Sequence, residues 1–131
     1  NNGVYKCGFA TTQSAYNHAF NELFNALDYC EDLLSKQRYL VENTLTEADW
    51  RFFTTLIRFD SVYVGHFKCN KRRVIDYPSL FKYLNTLLDM DHIRDTVFMN
   101  FIKLHYYGSH RHLNPYGIVP LGPEADLTVS V

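Results

Sequence analysis

Tyr16, Phe20, Leu23, Leu27, Cys30 and Leu34 recur at steps of 4, 3, 4, 3 and 4. A strand cannot use that spacing, because its neighbouring side chains face opposite ways, whereas a helix gathers all six on one face. Phe24 and Leu33 widen the stripe. The spacing predicts one amphipathic helix over 12–36, roughly 37 Å long at 1.5 Å per residue, with Thr12 or Thr11 as its N-cap. A helix that long with one apolar stripe needs other apolar elements to cover it.

The covering element is legible too. In Leu45-Thr46-Glu47-Ala48-Asp49-Trp50, Thr46 can cap the backbone N–H of Asp49, and the Asp49 carboxylate can reach back to the N–H of Thr46. Leu45 and Trp50 stand where a hydrophobic staple would. The helix over 46–65 carries Phe52, Phe53, Leu56, Ile57, Phe59, Val62, Tyr63 and Val64. These do not share one stripe, so this helix is expected to be the most buried.

Residues 66–76 read as a polar connection with one turn. Tyr77-Pro78 opens a third helix, since proline suits a first turn, and Leu80, Phe81, Tyr83, Leu84, Leu87 and Leu88 form its apolar set. Asp91 opens a fourth, with Ile93, Val97, Phe98, Phe101, Ile102 and His105 inward, ending near Tyr107 before Gly108. Residues 1–11, with Gly3 and Gly8 and no period, read as an ordered loop. From Gly108 to Val131, Pro115, Pro120 and Pro123 predict an extended tail, with Ile118, Val119 and Leu121 packing on the surface. There is no strand pair and no internal repeat. The fold class is all-α, a single-domain bundle over 1–131 around a central buried helix.

Composition excludes several functions. The chain has 131 residues, with 13 Lys and Arg against 14 Asp and Glu, a net charge of −1. That balance argues against a nucleic-acid partner, which wants a basic excess. No apolar run approaches a membrane span. Cys7, Cys30 and Cys69 are odd in number and form no C-x-x-C pair, so the expected state is reduced thiols in the cytoplasm. The opening Asn1-Asn2-Gly3-Val4-Tyr5 lacks Met and reads as the middle of something longer.

Candidate chemistry is sparse. His105, His110 and His112 include an H-x-H step, but no further ligand occurs at zinc spacing, so no metal site is assigned. The stronger reading has these imidazoles and Arg111 bonding the turn into the tail. Lys68, Lys71, Arg72 and Arg73 read as a solvated connection. Cys7 and Cys69 each follow a Lys, weak support for a nucleophile. No G-x-S-x-G and no glycine-rich phosphate loop is present. The groups left are tyrosines, above all Tyr5 and the pair Tyr106-Tyr107. Their phenols stay protonated at neutral pH and can donate to an oxygenated aromatic ligand.

The segment Tyr39-Leu40-Val41-Glu42-Asn43-Thr44-Leu45-Thr46-Glu47-Ala48-Asp49 resembles the signature of the helical C-terminal domain of glutathione transferases. More specific are Asn2-Gly3-Val4-Tyr5-Lys6-Cys7-Gly8-Phe9-Ala10-Thr11, Arg58-Phe59-Asp60-Ser61-Val62-Tyr63-Val64-Gly65-His66-Phe67-Lys68-Cys69-Asn70, His105-Tyr106-Tyr107-Gly108-Ser109-His110, and Asn114-Pro115-Tyr116-Gly117-Ile118-Val119-Pro120-Leu121-Gly122-Pro123. In order and along the whole chain, these resemble the glutathionyl-hydroquinone reductases, or Xi-class glutathione transferases.

The resemblance implies a two-domain homodimeric enzyme, with a thioredoxin-like N-terminal domain ahead of this helical one. That domain would carry the nucleophilic cysteine in a C-P-W-A-like motif, and most of the site for the co-substrate glutathione. No such motif occurs here, so no catalytic residue is assigned in this chain. Tyr5 and Tyr106 match positions that bind the oxygens of the aromatic hydroquinone substrate. The competing class is a transferase-like domain without catalysis, used as a protein-interaction module.

Overall fold

A computed structural model of the chain describes residues 1–123. Six α-helices run through them, and apart from one β-bridge between Val41 and Thr44 no strand structure occurs among the described residues. The all-α reading therefore holds. Helix α2 (Gln13–Lys36) is the long amphipathic helix, and the Thr12 hydroxyl accepts from the Ala15 N–H at 3.1 Å. Leu23, Phe24, Leu27 and Leu34 of its stripe are buried, while Tyr16, Phe20 and Cys30 lie half-buried at its edges.

Residues read as a leading loop instead form α1 (Asn2–Gly8), which packs on α2 and buries Val4 and Cys7. Seven residues cannot hold a helix in isolation, so no periodicity announces it. The glycines that looked like breakers permit close approach. A Cβ on Gly8 would stand 2.2 Å from Cδ1 of Phe67.

The central helix is not α-helical throughout. After α3 (Glu47–Arg58) comes a π-helical turn, Phe59–Tyr63, and then the short α4 (Val64–His66). A π turn takes in one extra residue and rotates the residues downstream of it, at a local cost that other contacts must offset. Here Asp60 supplies them. Its carboxylate accepts from the N–H groups of Val74 at 2.6 Å and Ile75 at 3.2 Å, opening the 3-10 turn Val74–Asp76. Burial raises the Asp60 pKa against the pull of these two bonds. Phe59, Val62 and Phe67 are fully enclosed, so the segment is central as expected.

Helix α5 (Pro78–Leu88) starts with Pro78 in its first turn and packs on α2 and α3. The fourth predicted helix needs correction. His92 sits at φ 64°, the 3-10 turn Arg94–Thr96 comes next, and Val97 is extended. A left-handed residue cannot continue an α-helix, so α6 begins eight residues later and spans Met99–Ser109. Phe98, Phe101 and His105, expected inward, are exposed. In the tail, the Ile118 and Leu121 side chains are also exposed rather than packed. The backbone holds it instead: the Asn114 amide donates to the carbonyls of Tyr107 and Ile118, and the buried Lys103 ammonium to those of Leu121 and Gly122. The end of the predicted tail, from 124 on, lies outside the described residues.

Candidate functional site

Tyr5 on α1, Tyr63 in the π turn and Tyr106 on α6 converge. The Tyr5 and Tyr106 hydroxyl oxygens are 2.8 Å apart, and those of Tyr63 and Tyr106 are 2.9 Å apart. The rings pack round Phe67: Tyr63 stacks on it at 5.3 Å, and Tyr5 lies tilted at 5.2 Å. The π turn carries Tyr63, the buried end of the hydroxyl chain, and the missing Cβ at Gly8 lets α1 close over Phe67.

Three phenols carry three O–H protons, and two hydrogen bonds use two of them. Tyr63 is 3% exposed, Tyr106 8% and Tyr5 40%. If Tyr63 donates to Tyr106 and Tyr106 to Tyr5, the spare proton belongs to the accessible phenol. The opposite order would strand it on buried Tyr63, which costs free energy. The chain of hydroxyls is therefore a donor array that ends at Tyr5. Burial, reinforced by the bond to Tyr106, raises the Tyr63 pKa far above its ordinary value. Burial also raises that of Tyr106, with the Tyr5 bond adding to it and the Tyr63 bond and the Arg58 charge opposing. Both phenols are protonated at neutral pH.

Beside Tyr106 opens a cleft of about 380 Å³, lined by Arg58, Thr96, Phe98, Phe101, Ile102, His105 and Tyr106. Tyr5 is not one of its lining residues and meets it through the Tyr106 hydroxyl. The late start of α6 leaves Phe98 and Phe101 as walls of this cleft rather than core. A larger groove of about 510 Å³ passes the end of α2. Its one ring, Tyr83, has its hydroxyl committed to Asp49 at 2.7 Å.

Thr46 and Asp49 lie away from the cleft. The Thr46 N–H donates to Asp49 Oδ2 at 2.9 Å, and the Thr46 hydroxyl donates to the same oxygen at 3.3 Å. Within hydrogen-bond reach, the Asp49 N–H finds the Thr46 carbonyl, at 3.1 Å. The other carboxylate oxygen takes the Leu40 N–H at 3.0 Å and the Tyr83 hydroxyl. Burial opposes the charge on Asp49, but the Leu40, Thr46 and Tyr83 donors outweigh it and hold its pKa below the usual range. Asp49 thus ties the 40–46 loop and α5 to the start of α3.

The other candidates resolve as structural groups. Burial raises the thiol pKa of Cys7, Cys30 and Cys69, which opposes thiolate formation. His66 Nε2 and His110 Nδ1 are 3.0 Å apart, and Arg111 Nε donates to the Gly108 carbonyl at 2.8 Å. His112 stacks on Phe9. Among the described residues no group of three or more His, Cys, Asp or Glu could hold a metal ion. In the basic run, Arg72 approaches Asp28, Arg73 pairs with Asp76, and Lys71 lies over the Phe24 ring. No helix among the described residues is long and apolar enough to cross a membrane. Sequence reasoning missed Tyr63 and Arg58 as site residues. Tyr63 looked like one more apolar position on a crowded helix, and nothing local marks Arg58.

The sequence model of the glutathione S-transferase C-terminal domain matches residues 13–86. The chain is 52% identical over 127 residues to the glutathionyl-hydroquinone reductase PcpF of Sphingobium chlorophenolicum, covering 97% of this chain and 41% of that protein. It is 50% identical over 127 residues to the glutathionyl-hydroquinone reductase YqjG of Escherichia coli, covering 97% and 39%. The glutathione-bound structure of YqjG superposes with a TM-score of 0.96 at 50% identity, over 98% of this chain and 42% of that one. A Xi-class transferase from Natrialba magadii gives 0.96 at 47% identity, over 99% and 40%. The chain spans about two fifths of the length of these curated relatives.

Proposed function

The chain belongs to the glutathione S-transferase C-terminal domain family, and from that premise we propose that it is the substrate-binding and assembly half of a glutathione-dependent reductase acting on glutathionyl-hydroquinones. The carrying observation is the hydroxyl chain Tyr63–Tyr106–Tyr5 beside an aromatic-walled cleft. Protonated phenols in a line suit the oxygens of a hydroquinone ring, and Phe98 and Phe101 suit its faces.

In the proposed reaction, a cysteine of a thioredoxin-like N-terminal domain attacks the glutathionyl sulfur. The carbon–sulfur bond breaks, the ring carbon takes a proton, and a protein–glutathione disulfide forms. A second glutathione resolves it, so that glutathionyl-hydroquinone and glutathione become hydroquinone and glutathione disulfide. Tyr106 on the cleft wall, and Tyr5 at the exposed end of the hydroxyl chain beside it, are the groups proposed to meet the ring oxygens and orient the departing ring. The nucleophile is assigned to the other domain, a reading supported by the burial of Cys7 and Cys69, which raises their thiol pKa. The cytoplasm, where glutathione is reduced, is the compartment this chemistry needs, and a homodimer is the proposed assembly.

The test is a reductase assay on a glutathionylated hydroquinone. The 131-residue chain should be inactive alone and should become active when joined to the thioredoxin-like domain of a relative. Turnover by the chain alone would place the nucleophile among its own cysteines and overturn this division of labour.

A further inference from the structure

Resting on that reading, we propose that Arg58 makes the cleft selective for hydroquinones that carry an anionic ring substituent, a carboxylate above all. Arg58 is the last residue of α3, where the π turn begins, and one of its Nη atoms donates to the Thr54 carbonyl at 2.7 Å. That bond anchors the guanidinium at the cleft wall and leaves further N–H donors for a ligand. Arg51, Arg72, Arg73 and Arg94 each face a carboxylate. Arg58 has no acidic partner among the described residues, and no Asp or Glu lines the cleft. In a chain with a net charge of −1, a concavity with a cation and no carboxylate is a local inversion of charge.

The remaining walls decide what accompanies the anion. Phe98, Phe101 and Ile102 offer apolar surface for a flat ring, and the Tyr106 phenol stands on the same wall system as Arg58. The Arg58 charge is felt at that phenol, where it opposes the upward push of burial. A ligand with a ring hydroxyl that donates to the Tyr106 oxygen and a carboxylate for Arg58 meets both polar groups with its ring against the Phe98 and Phe101 walls. Guanidinium–carboxylate pairing in a partly enclosed site is directional and tighter than a neutral contact.

A matched pair of ligands tests this. The 131-residue chain is titrated calorimetrically, without oxygen, with gentisate (2,5-dihydroxybenzoate) and with its uncharged methyl ester. Gentisate should bind about tenfold more tightly, with the gap shrinking as salt screens the pair. Arg58→Gln should remove that advantage and leave the ester within about twofold, while Arg58→Lys should keep part of it. Glutathione, which has carboxylates but no ring, is the control and should not depend on Arg58. Equal affinity for acid and ester, a preference that salt does not touch, or Arg58-dependent binding of glutathione alone would each overturn the inference while leaving the hydroquinone site standing. Failure of both ring compounds to bind would overturn the proposed site and this inference with it. If Arg58→Gln does not fold, Arg58→Lys and the salt series decide the same question.

Discussion

The hydroxyls of Tyr5 and Tyr106 lie 2.8 Å apart although 101 residues separate them in the chain. Tyr106 is the middle of the array, because its oxygen also meets Tyr63 at 2.9 Å. Tyr106→Phe therefore breaks two bonds and leaves the buried Tyr63 hydroxyl without its partner, whereas Tyr5→Phe breaks one at an exposed end. Urea unfolding should show a loss of about 1–3 kcal/mol for Tyr106→Phe and less than about 1 kcal/mol for Tyr5→Phe. A double-mutant cycle should give a coupling of about 0.5–1.5 kcal/mol, and a cycle that closes to zero would mean that the hydroxyls are not bonded in solution.

In the proposed two-domain enzyme, each change should lower kcat/KM on a glutathionyl-hydroquinone by roughly 2- to 13-fold, the equivalent of one hydrogen bond. Reduction of a glutathione disulfide without a hydroxylated ring should be less affected. Equal losses on both substrates would show that the phenols support structure and do not recognise the ring.

Asp49 accepts from Leu40, Thr46 and Tyr83 while fully buried. Loss of a helix-capping bond alone costs about 0.5–2 kcal/mol. Asp49→Ala also strands the Leu40 N–H and the Tyr83 hydroxyl, so the expected loss in chemical denaturation is about 3–5 kcal/mol. Because its folded pKa is depressed, this carboxylate's stabilisation is present above its unfolded value near 3.8 and is lost as pH falls through the folded one. A loss below about 1 kcal/mol would mean that the loop re-forms its bonds without Asp49.

Gly8→Ala places a methyl 2.2 Å from the Phe67 ring. Phe67 is 0% exposed and packed against Tyr63, so the ring has nowhere to turn. Overpacking of this kind costs about 1–3 kcal/mol. It should also tilt α1 and separate Tyr5 from Tyr106, which the coupling in the tyrosine cycle would register as a drop. Wild-type stability in Gly8→Ala would contradict the close approach of α1.

His66 is buried beside His110, and its pKa is pushed down to about 4 from 6.5, by burial first and then by the charges of His110, Lys68 and His112. The unfolded chain binds its proton first, so stability is full above about 6.5 and declines as pH falls toward about 4. The full shift would correspond to about 3 kcal/mol, and solvent screening of the partly open imidazole lowers the expected effect below that. Urea midpoints compared between neutral and mildly acidic buffer should show it, and His66→Gln should flatten the dependence. An unchanged slope in that variant would assign the effect elsewhere.

Helix α2 and the start of α3 are legible because their signals are local. A stripe such as Leu23, Leu27 and Leu34 names its own face, and Thr46 with Asp49 names an N-terminus, whatever the rest of the chain does. Proline at 78 places α5 in the same way. The family resemblance, carried on local motifs, also named Tyr5 and Tyr106.

Tertiary structure alone decided three things. Helix α1 exists because packing on α2 and Phe67 compensates for its shortness, and its sequence offers no period to announce that. The π turn is held by Asp60, which bonds to backbone 14 and 15 residues away, and it carries Tyr63 of the cluster. The late start of α6 turned Phe98 and Phe101 from expected core into cleft walls, because His92 broke the helix. Local preferences are set by near neighbours and can be read in order along the chain. The meeting of Tyr5, Tyr63 and Tyr106 depends on α1 closing over Phe67 and on the π turn held by Asp60, both contacts between residues remote in sequence, and its geometry is set only when the chain is folded.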